Sequence, residues 1–596
     1  MRSISLAAAR VLMVVMACAV AGIGQSSGSQ SHPAATLRVG LWTLWHDKEV
    51  TASPASGSMA TVRLCDGCVS STFSQPLQIR ASADGLNLSG NRRAASISLN
   101  GAFVLTAHGE SITFHNAVRI SANKSELILV VTLPVESYVE RVVASESGSA
   151  DSLESLKALA IVVRSFALHQ AHGHANYDLC DSTHCQLLHW SGSSERRAAA
   201  HVAALATAGE TLWFHGQRAA AWFHQNCGGR TASPAEAWPS TTQGRDASRQ
   251  AMPWLVSRAD PYCTAKGARG WSATVSLADL TTALAAAGLA RPGWKTITVA
   301  RRGESGRAVM LQIGSTAVSA EDFRLAVGRA MGWGKILSNW FEVSGQGTEF
   351  FFHGRGSGHG VGLCQAGAAA MSALGRDSDQ ILAQYFPGAS VADEASGLAW
   401  QTLSAQGFTL QTLSPSDAAF LPQLSQAVAE AEGRSGLQPA GAIIVRGFRT
   451  TSAFRDGTLA PGWVAAFTEG NWIGTQPLST LASRKLLVPI LRHEFLHALV
   501  ERQAAPGTSL WLREGLVEVW ADAQPRGDAM VGSPTPQLKL DEVDGALAHA
   551  TSEAQSEAAH RAAGWYAQRL LDGHGRAQVL DWLHSALPPA VLADIR

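Results

Sequence analysis

Residue types capable of chemistry cluster at several points along the 596-residue chain. In Leu491-Arg492-His493-Glu494-Phe495-Leu496-His497 two histidines stand four apart, a spacing that puts both imidazoles on one face of a helix. A further acid, Glu514, follows a short way downstream in Trp511-Leu512-Arg513-Glu514-Gly515, at a distance typical of a third ligand. Two imidazoles and one carboxylate can hold Zn2+ and leave a fourth position for water, whose proton Glu494 is placed to take. Far upstream, Glu146 sits in a short loop framed by two predicted helices. Lys157 and Arg164 lie seven residues apart on the second of these, within about 20° of each other around its axis, as a cationic edge facing the loop. His174, Cys180, His184 and Cys185 offer nitrogen and sulfur donors at a spacing that can close a structural zinc site. The competing reading is a Cys180–Cys185 disulfide with two surface histidines, which an oxidising compartment favours.

That compartment is expected from the N-terminus. Arg2 and Arg10 precede an apolar run from Val11 to Ile23, and Ala19-Val20-Ala21 offers a small-x-small cleavage site, so residues 1–24 read as a secretory signal peptide. The run is shorter than the ~20 residues a membrane span needs, so no transmembrane span is expected after cleavage. A lipoprotein site at Cys18 is the alternative, disfavoured by Met16 and by the apolar sequence that continues past the cysteine. The expected location is therefore periplasmic or cell-wall associated. Of the seven remaining cysteines, Cys227 and Cys263 are expected to form a disulfide, leaving Cys364 unpaired; Cys65 and Cys68 either close a tight turn or stay free.

These residues must be positioned by more than one core, because a chain of this length with 46% hydrophobic content divides into domains. With 47 basic and 47 acidic residues it carries no basic field to hold nucleic acid. Residues 25–36 are Ser, Gly, Gln and Pro rich and read as a flexible leader. Strand-like runs at 37–42, 60–64 and 126–132 make the next part β-rich. At Pro134 the period changes: a short helix is predicted to end near Ala144, and a second to start at Asp151 with the stripe Leu153, Leu156, Ala160, Val163 and Ala167. Strands resume between 205 and 235. The glycine-rich stretch 354–367 lacks the Lys-Ser/Thr of a phosphate loop; it lets backbone approach a ligand, with His359 and Gln365 lining the cleft. The fold class is thus α+β and multidomain: a β-rich module with a helical insert over 37–395, a linker or the opening of the last domain over 396–436, and a mainly helical domain over 437–596.

Several motifs occur in one order: Leu133-Pro134-Val135-Glu136-Ser137-Tyr138, Ala144-Ser145-Glu146, Leu156-Lys157-Ala158 through Val163-Arg164-Ser165-Phe166-Ala167, Tyr177-Asp178-Leu179-Cys180-Asp181-Ser182-Thr183-His184-Cys185-Gln186, Cys227-Gly228-Gly229-Arg230-Thr231, and Gly354 through Gln365. Over about 37–395 this resembles the SpoIID/LytB family of sporulation stage II protein D and amidase-enhancer proteins. The resemblance implies Glu146 as the catalytic acid of a lytic transglycosylase acting on peptidoglycan strands stripped of stem peptides, and zinc at His174, Cys180, His184 and Cys185. Lys157 and Arg164 are then expected at substrate hydroxyls or holding the loop. A non-catalytic glycan-binding or amidase-enhancing module is the alternative. Residues 440–590 resemble gluzincin metallopeptidases of the peptidase MA-like group, which implies His493, His497 and Glu514 as zinc ligands and a peptide or protein substrate. Glu518 stands as alternate ligand or support, and Tyr566 and His560 are candidates to stabilise an oxyanion.

Overall fold

The computed structural model describes residues 36–595 apart from 57, 149–150, 170–173, 191–192, 240–251, 266–269, 291, 346–347, 440 and 522–537. The expected signal peptide lies outside the described residues, as does the leader except Thr36. The described chain is mixed α and β, β-rich at the front and helix-rich at the end. It forms two compact units, 36–397 and 398–596.

The first unit opens with two largely antiparallel sheets of seven and six strands. Alternating apolar residues dictate their faces. In Thr36–Leu41, Leu37, Val39 and Leu41 are buried while Arg38 points out. Register follows from the same pattern: Val39 pairs with Val131, Val131 with Val118, Val118 with Leu99 and Leu99 with Val62, one buried row across five strands. A slip of one residue would turn that whole row to solvent. Val50, Ile79 and Leu105 of the six-stranded sheet enter the same core.

The strand Glu126–Pro134 runs directly into helix α1 (Val135–Glu146), and α2 (Leu153–His169) and α3 (Ser194–Ala206) follow. Helix α1 runs two residues past the expected end at Ala144, so Glu146 is its last residue rather than a loop residue. Helix α2 does not show the single apolar stripe that its spacing predicts. Every residue from Ser155 to Ala167 except Lys157 is buried, because α1, α3 and later elements enclose it. A separate small core lies within 270–355, where Gly270–Ser276, Phe341–Ser344 and Glu349–Arg355 form one sheet over Phe323, Phe350 and Phe352.

In the second unit, Gln401–Ala405 and Phe408–Thr412 join Ile443–Gly447, Trp472–Thr475 and Ala466–Glu469 in a five-stranded mixed sheet. Residues 398–436 belong to this unit: Phe408 and Leu410 are core residues, and helix Leu421–Ser435 packs on helix Leu487–Gln503. No helix among the described residues is long and apolar enough to cross a membrane.

Candidate functional site

Glu146 ends α1 half-buried, and both its carbonyl and the side chain of the residue before it are held by distant segments. Gln365 Nε2 donates to the Glu146 carbonyl oxygen at 3.1 Å, and the neighbouring Ser145 hydroxyl accepts from His189 N–H at 2.8 Å. Burial pushes the Glu146 carboxyl from 4.5 up to about 7, against a smaller opposing effect from the Leu187 backbone N–H that it accepts. The segment supplying Leu187 and His189 is itself tied down, since Tyr138 Oη donates to Gln186 Oε1 at 3.0 Å in the core. The arrangement is an acid able to give and retake a proton near neutral pH, at a helix end held by Gln365 and His189.

The partners proposed for it are placed differently. Gln365 reaches the C-terminal end of α1 through its amide. His359 is half-buried, its ring edge-on to His224 and tilted against Trp238, with Nδ1 accepting from Val361 N–H at 3.1 Å. Gly362, at φ +73°, lets this segment lie against the strand before it; a Cβ there would overlap the Trp222 carbonyl oxygen. Lys157 bridges Glu154 one turn back at 2.9 Å. Arg164 overturns the expectation of a substrate contact. It is 0% exposed, forks onto both carboxylate oxygens of Glu136 at 2.8 and 2.5 Å, and donates to the carbonyls of Glu210 and Ala204. Its role is to tie α1, α2 and α3 to the strand Glu210–Phe214, because an enclosed helix has no free face on which to present a cation.

His174, Cys180, His184 and Cys185 converge, with one ligand atom from each within 4.8 Å of all the others. His174 Nε2 lies 3.2 Å from Cys185 Sγ, and the two sulfurs are 3.0 Å apart as free thiols, so the alternative disulfide is not formed. Cys65 and Cys68 do form a disulfide. The Cys227–Cys263 disulfide is not formed: both are free and buried, and Cys364 and Asp260 join them in a second convergent group, so neither cysteine has the other as its sole neighbour.

In the second unit His493 and His497 share one face of helix Leu487–Gln503, Nε2 to Nε2 at 3.0 Å. Two nitrogens on one tetrahedral zinc stand about 3.3 Å apart, so this separation fits a shared ion. Helix Leu510–Ala521 brings Glu514 in, fully buried, with Oε2 at 3.8 Å from His497 Nε2 and neither carboxylate oxygen hydrogen-bonded among the described residues. A buried carboxylate oxygen left so is costly unless a cation completes it. Burial holds His493 down at about 3, which keeps the imidazole in the neutral form a metal needs. Glu494 accepts from Thr468 Oγ1 at 2.5 Å, and burial lifts its carboxyl to about 8.

His560, on helix Glu553–Ser585, faces Glu514 Oε2 at 3.3 Å, so it supports that acid rather than standing ready for an oxyanion. Burial would lower His560, but the Glu514 carboxylate beside it outweighs this and raises it to about 9. Glu518, one turn after Glu514, raises His560 further. Tyr566 Oη donates to the Leu538 carbonyl oxygen at 3.2 Å while its ring packs on Trp511, a structural setting. Glu136, Asp260, Thr468 and the Glu514 contact of His560 were not found from sequence. Each acts on a partner brought in from another part of the chain, a relation that periodicity does not span.

Comparison with known proteins now bears on the first of these sites. Residues 123–214, which hold Glu146, Arg164 and the His174–Cys185 group, match the family SpoIID, described as Stage II sporulation protein. The match supports the SpoIID family. Residues 255–362 match a domain of unknown function, DUF8618, which spans the small separate core of the SpoIID-bearing unit. The chain is 26% identical over 289 residues to stage II sporulation protein D of Bacillus subtilis, covering 46% of this chain and 77% of that protein. It is also 26% identical over 285 residues to an uncharacterized protein of Brachyspira hyodysenteriae, covering 47% of this chain and 73% of the relative.

Proposed function

We propose that the SpoIID-bearing unit cuts peptidoglycan glycan strands as a lytic transglycosylase in the exported space, with Glu146 as its acid. The observation that carries this reading is the half-buried Glu146 carboxyl, raised to about 7 by burial while it accepts from the Leu187 N–H, on a residue whose backbone carbonyl Gln365 holds. The protonated acid donates to the glycosidic oxygen as the C1–O bond breaks. The sugar's own C6 hydroxyl attacks C1 to close a 1,6-anhydro ring, and the carboxylate takes the C6 proton. One acid suffices because no water has to be activated, unlike hydrolysis with its two carboxylates. The His174, Cys180, His184 and Cys185 group fits Zn2+ as a closed structural site, steadying the segment that supplies the Leu187 N–H. Glycan stripped of stem peptides, incubated with wild-type and Glu146→Gln protein, tests the reading by mass spectrometry. Anhydro products should disappear in the variant; equal release from both would remove Glu146 from the chemistry.

The second unit has its own reading, favoured by the convergence of His493, His497 and Glu514. We propose a zincin-like peptidase site in which these three hold Zn2+. The ion, when bound, supplies an acidified water. Glu494, held by Thr468, would take a proton from it, and His560 would orient Glu514. Its substrate is a peptide or protein of the same compartment. Metal analysis tests it: His493→Ala should lose one zinc per chain.

A further inference from the structure

Three cysteines and an aspartate unused by either proposed reaction meet beside the glycine-rich segment. The strand Phe223–His224 runs parallel to Leu363–Cys364, with His224 opposite Cys364, and the turn that follows delivers Cys227. A third piece of chain is hung on that turn: Asp260 N–H donates to the Gly229 carbonyl at 2.9 Å, which brings Asp260 and Cys263 inward. All four residues are buried, and one sulfur or carboxylate oxygen from each lies within 4.8 Å of every other.

Their surroundings are built for negative charge. Backbone N–H groups point at sulfur: Cys227 N–H at Cys364 Sγ (3.2 Å), Gly367 N–H at the same atom (3.4 Å) and Gly229 N–H at Cys227 Sγ (3.4 Å). Asp260 receives Tyr385 Oη at 2.9 Å and Cys263 N–H at 3.0 Å. Arg307, 1% exposed, lies against the same turn and donates to the Cys227 carbonyl at 2.7 Å. Without a metal, two thiols have acceptors: Cys263 Sγ lies 3.1 Å from Asn226 Oδ1, and Cys227 Sγ 3.2 Å from Asp260 Oδ2. A disulfide between any two cysteines would use two sulfurs and leave the third and Asp260 buried together. A divalent cation uses all four groups, releases the thiol protons, and leaves two net negative charges for the N–H donors and Arg307 to offset.

We infer that Cys227, Asp260, Cys263 and Cys364 are the ligands of a closed, structural site for a zinc-class cation that clasps the Cys227 turn, the Asp260–Cys263 loop and the glycine-rich segment together. Thiolate sulfur with one carboxylate suits Zn2+ over magnesium or calcium, which prefer all-oxygen sets. Four protein ligands leave no open position, so the ion does no chemistry. Its reach is positional: Gln365, next to Cys364, holds the Glu146 carbonyl.

The test uses the full chain carrying Cys180→Ser and Cys185→Ser, which removes the other cysteine-containing group; Cys65 and Cys68 are already disulfide-bonded. Loaded with Co2+, this protein should show intense sulfur-to-cobalt charge-transfer absorption and the d–d bands of tetrahedral coordination, and adding Cys263→Ser should weaken the charge-transfer band, since one of three thiolate ligands is lost. A second measurement needs no variant: titrating zinc-loaded wild-type protein with an organomercurial should release zinc in step with capture of Cys227, Cys263 and Cys364, identified by peptide mapping. The proposal is overturned by a mapped disulfide joining any two of these cysteines. It is equally overturned if the three thiols react freely with no metal released, or if the cobalt protein has no charge-transfer band. None of these outcomes depends on whether Glu146 cuts glycan.

Discussion

Replacing Glu146 by glutamine should stabilise the SpoIID-bearing unit at alkaline pH while destroying the proposed activity. Burial raises the carboxyl from 4.5 to about 7, so between those values the folded chain keeps a proton that the unfolded chain has released. The folded state then binds more protons than the unfolded one, and stability falls as pH rises through that window. Below 4.5 both states are protonated and no penalty exists; above about 7 the penalty is complete. At ~1.4 kcal/mol per tenfold, the rise corresponds to a ceiling of ~3 kcal/mol, and water reaching a half-buried side chain reduces it to ~1–2 kcal/mol. Glutamine carries no charge to desolvate and can still accept from Leu187. The variant should therefore gain ~1–2 kcal/mol over wild type at pH 8.5 and nothing at pH 4. Urea unfolding followed by tryptophan fluorescence measures this. The chain has two units, so the transition to read is the one that Arg164→Ala also moves. Glycan cutting should drop about 10²–10⁴-fold in the variant, and wild-type rate should decline above pH 7 as the acid loses its proton. An equal stability offset at both pH values, or a loss at pH 8.5, would refute the claim that this acid is held at an electrostatic cost.

Other substitutions separate structural from chemical roles. Arg164→Ala strands Glu136 in the core and should cost about 3–5 kcal/mol in urea unfolding, with Glu136→Gln in the same chain recovering part of it; lost glycan binding at unchanged stability would instead make Arg164 a substrate contact. Glu494→Gln should keep its zinc while His497→Ala loses one ion per chain by elemental analysis, and loss of zinc in Glu494→Gln would make that acid a ligand. Gly515→Ala places a methyl against the Ala563 carbonyl oxygen and should cost about 1–3 kcal/mol, weakening zinc retention by shifting Glu514; unchanged zinc content would show that the helix gives way without moving its acid.

Much of this was legible in residue order. The helical spacing of His493 and His497 and the short reach to Glu514 are local, and the structure brings them together. The four donors from His174 to Cys185 lie close along the chain, so their convergence needed only a turn. The β-rich front and helix-rich end followed from period alone. What failed did so where a pattern was silent about surroundings. Arg164 read as part of a cationic edge facing the Glu146 segment because helical periodicity gives an angle around an axis and not the number of elements packed on it; enclosure on all sides made the same residue a strut. Phe408 and Leu410 sit in a segment too short to show a domain's period, and only pairing with Ile443–Gly447 makes them core.

The cysteines mark the boundary most sharply. The expected compartment favoured pairing but left Cys65 and Cys68 open, and their disulfide, three residues apart, is closed by the turn between them. Cys227, Cys263 and Cys364 are widely separated in sequence. Which of them meet, and that Asp260 stands with them, is set by a parallel strand pair and a loop hung on a glycine turn. Sequence by itself determined which atoms are available to bind a proton or a metal. Tertiary structure decided their solvation and their neighbours, and hence whether a carboxyl titrates near 4.5 or near 7, because desolvation and convergence are properties of three-dimensional packing and not of order along a chain.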